Sequence, residues 1–193
     1  MKTLNICIDI DGTITDPYFW LNSANAYFNK NLTVDEITQY DISKAMGVPK
    51  SEYVDFYNKN KFRLHGKEEN IRKDAKKVIQ KLIEEHNIYF VTARDKDLEI
   101  LTHHYLKKNR IPYDNVFVLG TTYKVDMAKK LSCDIFIEDS YENSLQLSQN
   151  GFKVLLINTN YNQMQLNENI TRVFNWEQIH DIIDKMLLQQ ETM

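Results

Sequence analysis

The chain of 193 residues sets 24 Lys and Arg against 27 Asp and Glu, for a net charge of -3, and 42% of it is hydrophobic. That leaves no basic footprint for a nucleic-acid polymer, and no apolar run approaches the roughly 20 residues of a membrane span. Its length suits one sizeable domain, or one domain with a smaller insertion.

The segment 1–8 is too short for a signal peptide, so the chain reads as cytoplasmic. Cys7 falls inside a first strand and Cys133 beside a later one. Two isolated cysteines without metal spacing read as small buried thiols in a reducing compartment.

Residues 4–8 form an apolar, strand-like run that ends abruptly in Asp9-Ile10-Asp11-Gly12-Thr13. A strand buried on both faces rejects charge, so two aspartates two positions apart belong where the strand leaves its sheet, with Gly12 permitting the turn. In open α/β sheets that carboxyl end is where ligands bind. Asp-Gly is also an ordinary turn signal, so the rest of the chain has to decide.

Behind that turn, Trp20, Ala24, Tyr27 and Phe28 share one face at helical spacing. Thr33 and Glu36 have the spacing of a capping box, opening a second helix toward Met46, and Gly47 and Pro49 punctuate the passage into a third with Tyr53, Phe56 and Tyr57. No strand pattern occurs over residues 16–70. This predicts a small all-helical module, 16–70, inserted into a core made of 1–15 and 71–193. Between Tyr18 and Phe62 lie 10 of the chain's 22 aromatic residues. Most are expected to build the module's own core, while Phe19 and Trp20 follow the acidic stretch closely enough to overhang it.

From Asn70 onward strand and helix alternate. Asn70 is placed to cap a helix whose apolar face is Ile71, Ala75, Val78, Ile79, Leu82 and Ile83. A second strand over 87–91 runs into Thr92-Ala93-Arg94-Asp95, and a helix with Leu98, Leu101 and Tyr105 follows. A third strand, 116–119, leads to a helix starting near Lys124, and a fourth, 135–137, stops at Glu138-Asp139-Ser140. After a helix ending at Asn150-Gly151 come a fifth strand over 154–157, a polar loop over 158–169, a short sixth strand over 172–174 and a last helix capped by Asn175. Strands joined by single helices predict an α/β fold with a doubly wound, Rossmann-like parallel sheet, all carboxyl ends on one edge.

The residues at that edge are Asp9, Asp11, Thr92, Lys124, Glu138 and Asp139. Carboxylates gathered from neighbouring strands repel one another in a partly dry crevice and call for a cation, and an all-oxygen ligand set suits Mg²⁺. A hydroxyl, a lysine and helix N-termini beside it make an anion site of the kind a phosphate fills.

Taken in order, Asp9-Ile10-Asp11-Gly12-Thr13, Thr92, Lys124 and Glu138-Asp139 resemble the four motifs of the haloacid dehalogenase superfamily of phosphatases. The resemblance implies that Asp9 attacks phosphorus to form an aspartyl phosphate, and that Asp11 protonates the leaving oxygen and then deprotonates the hydrolytic water. It implies a Mg²⁺ held by the Asp9 side chain, the Asp11 backbone carbonyl and Asp139, with Glu138 and Asn143 in the inner or next layer. Thr92 and the backbone after it at Ala93, with Lys124 and Thr13, would bind phosphoryl oxygens. Arg94 reads equally as a substrate contact or a surface ion-pair partner. His65, at the far end of the module, reads as a surface histidine in preference to one that approaches the crevice on the chain's return, His103 and His104 lack metal spacing, and Lys129 and Lys130 read as solvated.

An insertion at 16–70 is where the superfamily carries its cap. The all-helical, aromatic-rich module, with Val91-Thr92-Ala93-Arg94 and Ile137-Glu138-Asp139-Ser140, is most similar to the type C branch of 5'-nucleotidases (deoxyribonucleotidases). Better-known members of that branch have Ser-Pro after the motif-two threonine, where this chain has Ala93-Arg94, and often a second Asp at Glu138. The resemblance implies a small phosphate ester as partner, a nucleoside 5'-monophosphate stacked on Phe19 and Trp20, with the protein a monomer or homodimer. A sugar-phosphate or phosphoglycolate-like phosphatase is the alternative on the same core. A phospho-acceptor or ligand-binding module without turnover is the alternative of another class; it has no use for Asp11 or for the inserted module. Simple dinucleotide binding lacks its Gly-rich loop.

Overall fold

Six short strands, all parallel, form one sheet in a computed structural model that describes residues 3–68 and 70–191. They are β1 (Asn5–Ile8), β2 (Asn87–Thr92), β3 (Asn115–Val118), β4 (Ile135–Glu138), β5 (Lys153–Ile157) and β6 (Ile170–Val173). The order is β3-β2-β1-β4-β5-β6. The chain winds outward from β1 to β3, then returns to β4 on β1's other side, so the winding direction reverses between β1 and β4. Ile8 is in register with Phe90 on one side and Ile137 on the other. Ligand sites in such sheets lie at the carboxyl ends of the strands flanking that reversal.

Side chains alternate across the sheet, and β1 shows why its residues suit a central strand. Ile6 and Ile8 face one apolar cluster with Ile79, Phe90, Trp176 and Ile179, while Cys7 faces another with Val125, Phe136 and Leu147. Helices α4 (Ala75–Leu82), α5 (Glu99–Lys108) and α8 (Trp176–Glu191) cover the first face. Helices α6 (Val125–Lys130) and α7 (Tyr141–Gln149) cover the second. Cys7 and Cys133 are buried free thiols in the second cluster. Among the described residues no helix is long and apolar enough to cross a membrane.

Residues 16–68 and 70 contain α1 (Leu21–Phe28), a 3₁₀ turn (Val34–Glu36), α2 (Ile42–Met46), α3 (Lys50–Arg63) and a π-helical turn (Leu64–Glu68). Trp20, Leu21, Ala24, Ile37, Met46, Phe56 and Leu64 form their own apolar cluster, in which Phe56 packs on Tyr27 and Phe28. The chain leaves and re-enters the sheet layer at one place. Asp16 N donates to the Asn70 carbonyl at 2.7 Å, and Thr15 and Ile71 form an antiparallel bridge. On the far side Lys61 reaches Asp95 at 2.8 Å and Asp97 at 2.6 Å.

Two local expectations are corrected. The capping box forms, with Glu36 Oε2 accepting from Thr33 N at 2.8 Å and Thr33 Oγ1 at 2.9 Å, but it closes only one 3₁₀ turn. Ile37 leaves helical geometry (φ -84°, ψ 82°) and is buried, so α2 starts afresh with Asp41 accepting from Ser43 N. Nor does Asn70 open α4. Residues 70–72 run beside 14–16, with Arg72 N donating to the Ile14 carbonyl, and the helix begins only after Asp74, in the left-handed region at φ 63°. The apolar face Ala75, Val78, Ile79 and Leu82 is buried against the sheet.

Candidate active site

The two strands flanking the reversal each end in acid. Asp9 follows β1, its N–H still bonded to the Ile137 carbonyl, and Glu138 and Asp139 stand at the end of β4. One carboxylate oxygen from each of Asp9, Glu138 and Asp139 lies within 4.8 Å of the other two, and all three residues are buried. Lys124, at the head of α6, inserts its ammonium between two of them. Its Nζ donates to Asp9 Oδ1 and, at 2.6 Å, to Glu138 Oε1. The lysine side chain is only 1% exposed.

One ammonium does not balance three carboxylates. Burial, reinforced by the charges of Glu138 and Asp139, pushes Asp9 well above its ordinary value despite Lys124. Burial and the Glu138 charge push Asp139 up to about 7. Burial opposes the charge on Lys124, but Asp9 and Glu138 together hold it above the ordinary lysine range. A hard divalent cation fits this set: its donors are all oxygens, and the cluster carries more negative charge than its one lysine offsets.

Glu138 is the least available of the three. Its Oε1 accepts from Lys124 and from Asn143 Nδ2 at 2.9 Å, and its Oε2 accepts from Asp139 N and Ser140 N, both at 3.0 Å. It thereby shapes the turn that carries Asp139. Asn143 reaches Glu138 from the first turn of α7.

Asp11 is handled differently. Its side chain is 33% exposed, and Arg94 takes both of its oxygens, at 2.7 and 2.9 Å. His65 Nδ1 lies 3.4 Å from Oδ1. Burial works against its charge, yet Arg94 and then His65 hold Asp11 well below the usual carboxylate range. Arg94 is therefore neither a surface ion-pair residue nor pointed at open solvent: it is buried, donates to Thr102 Oγ1 at 3.1 Å and lies over the Tyr105 ring. The surface reading of His65 is also corrected. The π-helical turn at the end of the helical module turns it toward Asp11, buried between Phe19 and Tyr57, whose hydroxyl is 3.2 Å from Nε2. Its place is set by tertiary docking, which a lone histidine in a polar stretch does not announce.

A cavity of roughly 460 Å³ opens over these groups. Asp9, Asp11, Lys124 and Asp139 line its floor with Thr92, Ala93 and Arg94, and Phe19, Trp20, Tyr40, Tyr53 and Tyr57 line it from residues 16–70. Thr92 is buried, and its Oγ1 accepts from Arg94 N at 3.3 Å. Thr13, expected at the substrate, does not line this cavity. It is fully buried, and its hydroxyl donates to Asp139 Oδ1 at 3.3 Å, so it supports the acid. Lys129 and Lys130 are exposed.

Tyr161 and Asn162, in the β5–β6 loop, were missed by motif reasoning. Tyr161 lines the cavity and donates to Asp139 Oδ2 at 2.5 Å, and Asn162 donates to the Asp139 carbonyl. Extending the inventory of strand ends to β5 would have reached them.

A family model described as 5' nucleotidase, deoxy (pyrimidine), cytosolic type C protein matches residues 2–190. A nucleotidase from Clostridium acetobutylicum is 53% identical over the full length of both chains. Among solved structures, a haloacid dehalogenase-like family hydrolase from Streptococcus pneumoniae superposes with a TM-score of 0.72, covering 94% of this chain and 98% of that one at 16% identity. The fold is that of the haloacid dehalogenase-like hydrolase, and the chain belongs to the cytosolic type C 5'-nucleotidase family.

Proposed function

We propose that this phosphatase is a Mg²⁺-dependent 5'-nucleotidase that hydrolyses (deoxy)nucleoside monophosphates through a phosphoryl group carried on Asp9, with residues 16–70 acting as its cap. The observation that carries the reading is the shared cavity. Its floor gathers carboxylates from two strand ends and one lysine from a helix head, and its wall is aromatic.

Asp9 and Asp139, with the Asp11 main-chain carbonyl, are assigned to hold the ion, and Glu138 keeps Lys124 and the Asp139 turn in place. Bound there, Mg²⁺ supplies positive charge that lets an anionic nucleophile approach a dianionic phosphate. The Asp9 carboxylate is the nucleophile. Lys124, Thr92 and the backbone at Ala93 orient and neutralise the phosphoryl oxygens. Asp11 exchanges protons with the leaving oxygen and then with water. The Arg94 clamp favours its charged form, which suits the second of these tasks. The first requires that substrate loosen the clamp and let Asp11 take up a proton. Phe19 offers a flat face to the base, and the module excludes water from the floor. Trp20, expected to overhang the site, is instead largely buried in the module's own cluster at the cavity wall.

A panel of nucleoside monophosphates and sugar phosphates, with and without Mg²⁺, tests the reading. Phosphate release that depends on Mg²⁺, prefers nucleotides and disappears in Asp9→Asn is expected. Release confined to sugar phosphates would remove the nucleotide assignment, and release unchanged in Asp9→Asn would remove the mechanism.

A further inference from the structure

Two consecutive residues of the β5–β6 loop grip Asp139. The Tyr161 hydroxyl holds Oδ2 at 2.5 Å, and Asn162 Nδ2 donates to the Asp139 carbonyl at 2.7 Å and to the Ile157 carbonyl at 2.9 Å. Thr13 Oγ1 holds the other carboxylate oxygen, Oδ1. The loop is stiffened in turn by Arg172 of β6, which reaches Asn162 Oδ1 and the Asn162 carbonyl, both at 2.7 Å. A loop serving only to connect two strands has no need to bury a phenol against a carboxylate, yet Tyr161 is 8% exposed.

The other end of Tyr161 faces the helical module. Its ring meets Tyr18 edge-on at 6.0 Å and Tyr40 at 5.6 Å, and it joins the module's apolar cluster from outside residues 16–70. The neighbouring Asn160 makes the same connection through polar groups. Its N–H donates to the Tyr18 hydroxyl and its side-chain amide to the Val34 carbonyl, both at 3.0 Å. One side chain thus touches the acid cluster with its hydroxyl and the docked module with its ring.

We propose that Tyr161 is a positioning residue that fixes the Asp139 carboxylate for a divalent cation and transmits docking of the helical module to it, so that cation affinity and docking are coupled. The proposal rests on the reading of Asp139 as a cation ligand. A carboxylate with both oxygens already oriented gives up less rotational freedom when the ion arrives, and losing such an outer partner typically lowers metal affinity about 10–100-fold. Coupling of this kind is reciprocal: what docking does for the ion, the ion does for docking.

Calorimetric titration of the full chain with Mg²⁺ alone tests this, comparing wild type with Tyr161→Phe, Tyr40→Leu, Tyr40→Phe and Asp139→Asn. Tyr161→Phe keeps the ring and removes only the hydroxyl. Its dissociation constant should rise about 10-fold or more, and its kcat should recover at saturating Mg²⁺, which damage to the fold would not allow. Tyr40→Leu keeps the phenol of Tyr161 and removes the ring contact, and should weaken binding on the order of 5-fold relative to Tyr40→Phe, which keeps the ring and removes only the hydroxyl that bonds Ser140. Wild-type affinity in Tyr161→Phe, or equal affinity in Tyr40→Leu and Tyr40→Phe, with Asp139→Asn clearly impaired, overturns the proposal and leaves the cation reading standing. No Mg²⁺ binding by wild type, or wild-type affinity in Asp139→Asn, overturns both. Should Tyr40→Leu fail to fold, amide exchange over residues 37–42 of the wild type replaces it: slowing by Mg²⁺ is expected, and an unchanged rate overturns the coupling.

Discussion

Arg94 grips both oxygens of Asp11, with Nη2 2.7 Å from Oδ1 and Nε 2.9 Å from Oδ2, and so ties the loop after β1 to the loop after β2. A guanidinium fork matches a carboxylate in a way an ammonium does not. Arg94→Lys should therefore keep a positive charge near Asp11 but lose its orientation. The account predicts a fall in kcat of about 10²-fold, the scale of a misplaced reacting group, with a smaller change in KM. Steady-state kinetics on a nucleoside monophosphate decide it, and an unaltered kcat would show that the clamp is dispensable.

Lys124 offers a prediction about stability. It is buried between Asp9 and Glu138, whose side chains are 8% and 0% exposed. Lys124→Met strands two carboxylates in a dry site, a change that costs about 3–5 kcal/mol when one partner of a buried pair is lost. The melting temperature should drop in metal-free buffer, and Mg²⁺ should restore part of the difference by replacing the missing charge. An equal melting temperature in both proteins would mean the cluster is not held together by this lysine.

Gly12 and Gly151 make a matched pair. Both lie in the left-handed region, at φ +78° and +86°. A Cβ on Gly12 would sit 2.4 Å from Asp139 Oδ2 and 2.8 Å from the Tyr161 hydroxyl, whereas one on Gly151 meets nothing within 4 Å. Alanine at either position carries a backbone penalty of about 1–2 kcal/mol. Only Gly12→Ala should also weaken Mg²⁺ binding and activity, by about 10-fold or more. Equal activity losses in the two variants would contradict this packing of Gly12 against the acid.

Phe19 lines the cavity and packs on His65 at 5.5 Å between ring centroids. If the base stacks there, Phe19→Ala removes about 1–3 kcal/mol of base contact. The ratio of kcat/KM for a nucleoside monophosphate to that for p-nitrophenyl phosphate should fall about 10-fold. A ratio that stays constant would place the base elsewhere.

The parts of this molecule legible in the sequence are those whose signals are local. Asp9, Thr92 and Glu138-Asp139 each interrupt an apolar run, so the edge of the sheet and its residues could be read from the chain alone. The strand-helix alternation predicts a parallel, doubly wound sheet with its carboxyl ends on one edge, while the order of the strands is a finding of the structure. What stayed hidden depends on tertiary docking. His65 is buried where a π-helical turn sets it between Phe19 and Tyr57 and beside Asp11, and Arg94 pairs with the same carboxylate. Tyr161 lies in a polar loop with no periodicity, and its role follows from the position of β5 beside β4. Likewise Asn70 carries a helix-capping side chain, but pairing of 70–72 with 14–16 outweighs that local preference.

The central claim is that Asp9 carries the phosphoryl group. Asp11→Asn, mixed with Mg²⁺ and p-nitrophenyl phosphate, isolates that step, because nitrophenolate leaves without needing a proton while the following hydrolysis needs a base. Acid quench and peptide mapping should find one nitrophenol released per enzyme and a phosphoryl group on Asp9. Phosphate released with no burst, and no adduct on the Asp9 peptide, would contradict the account.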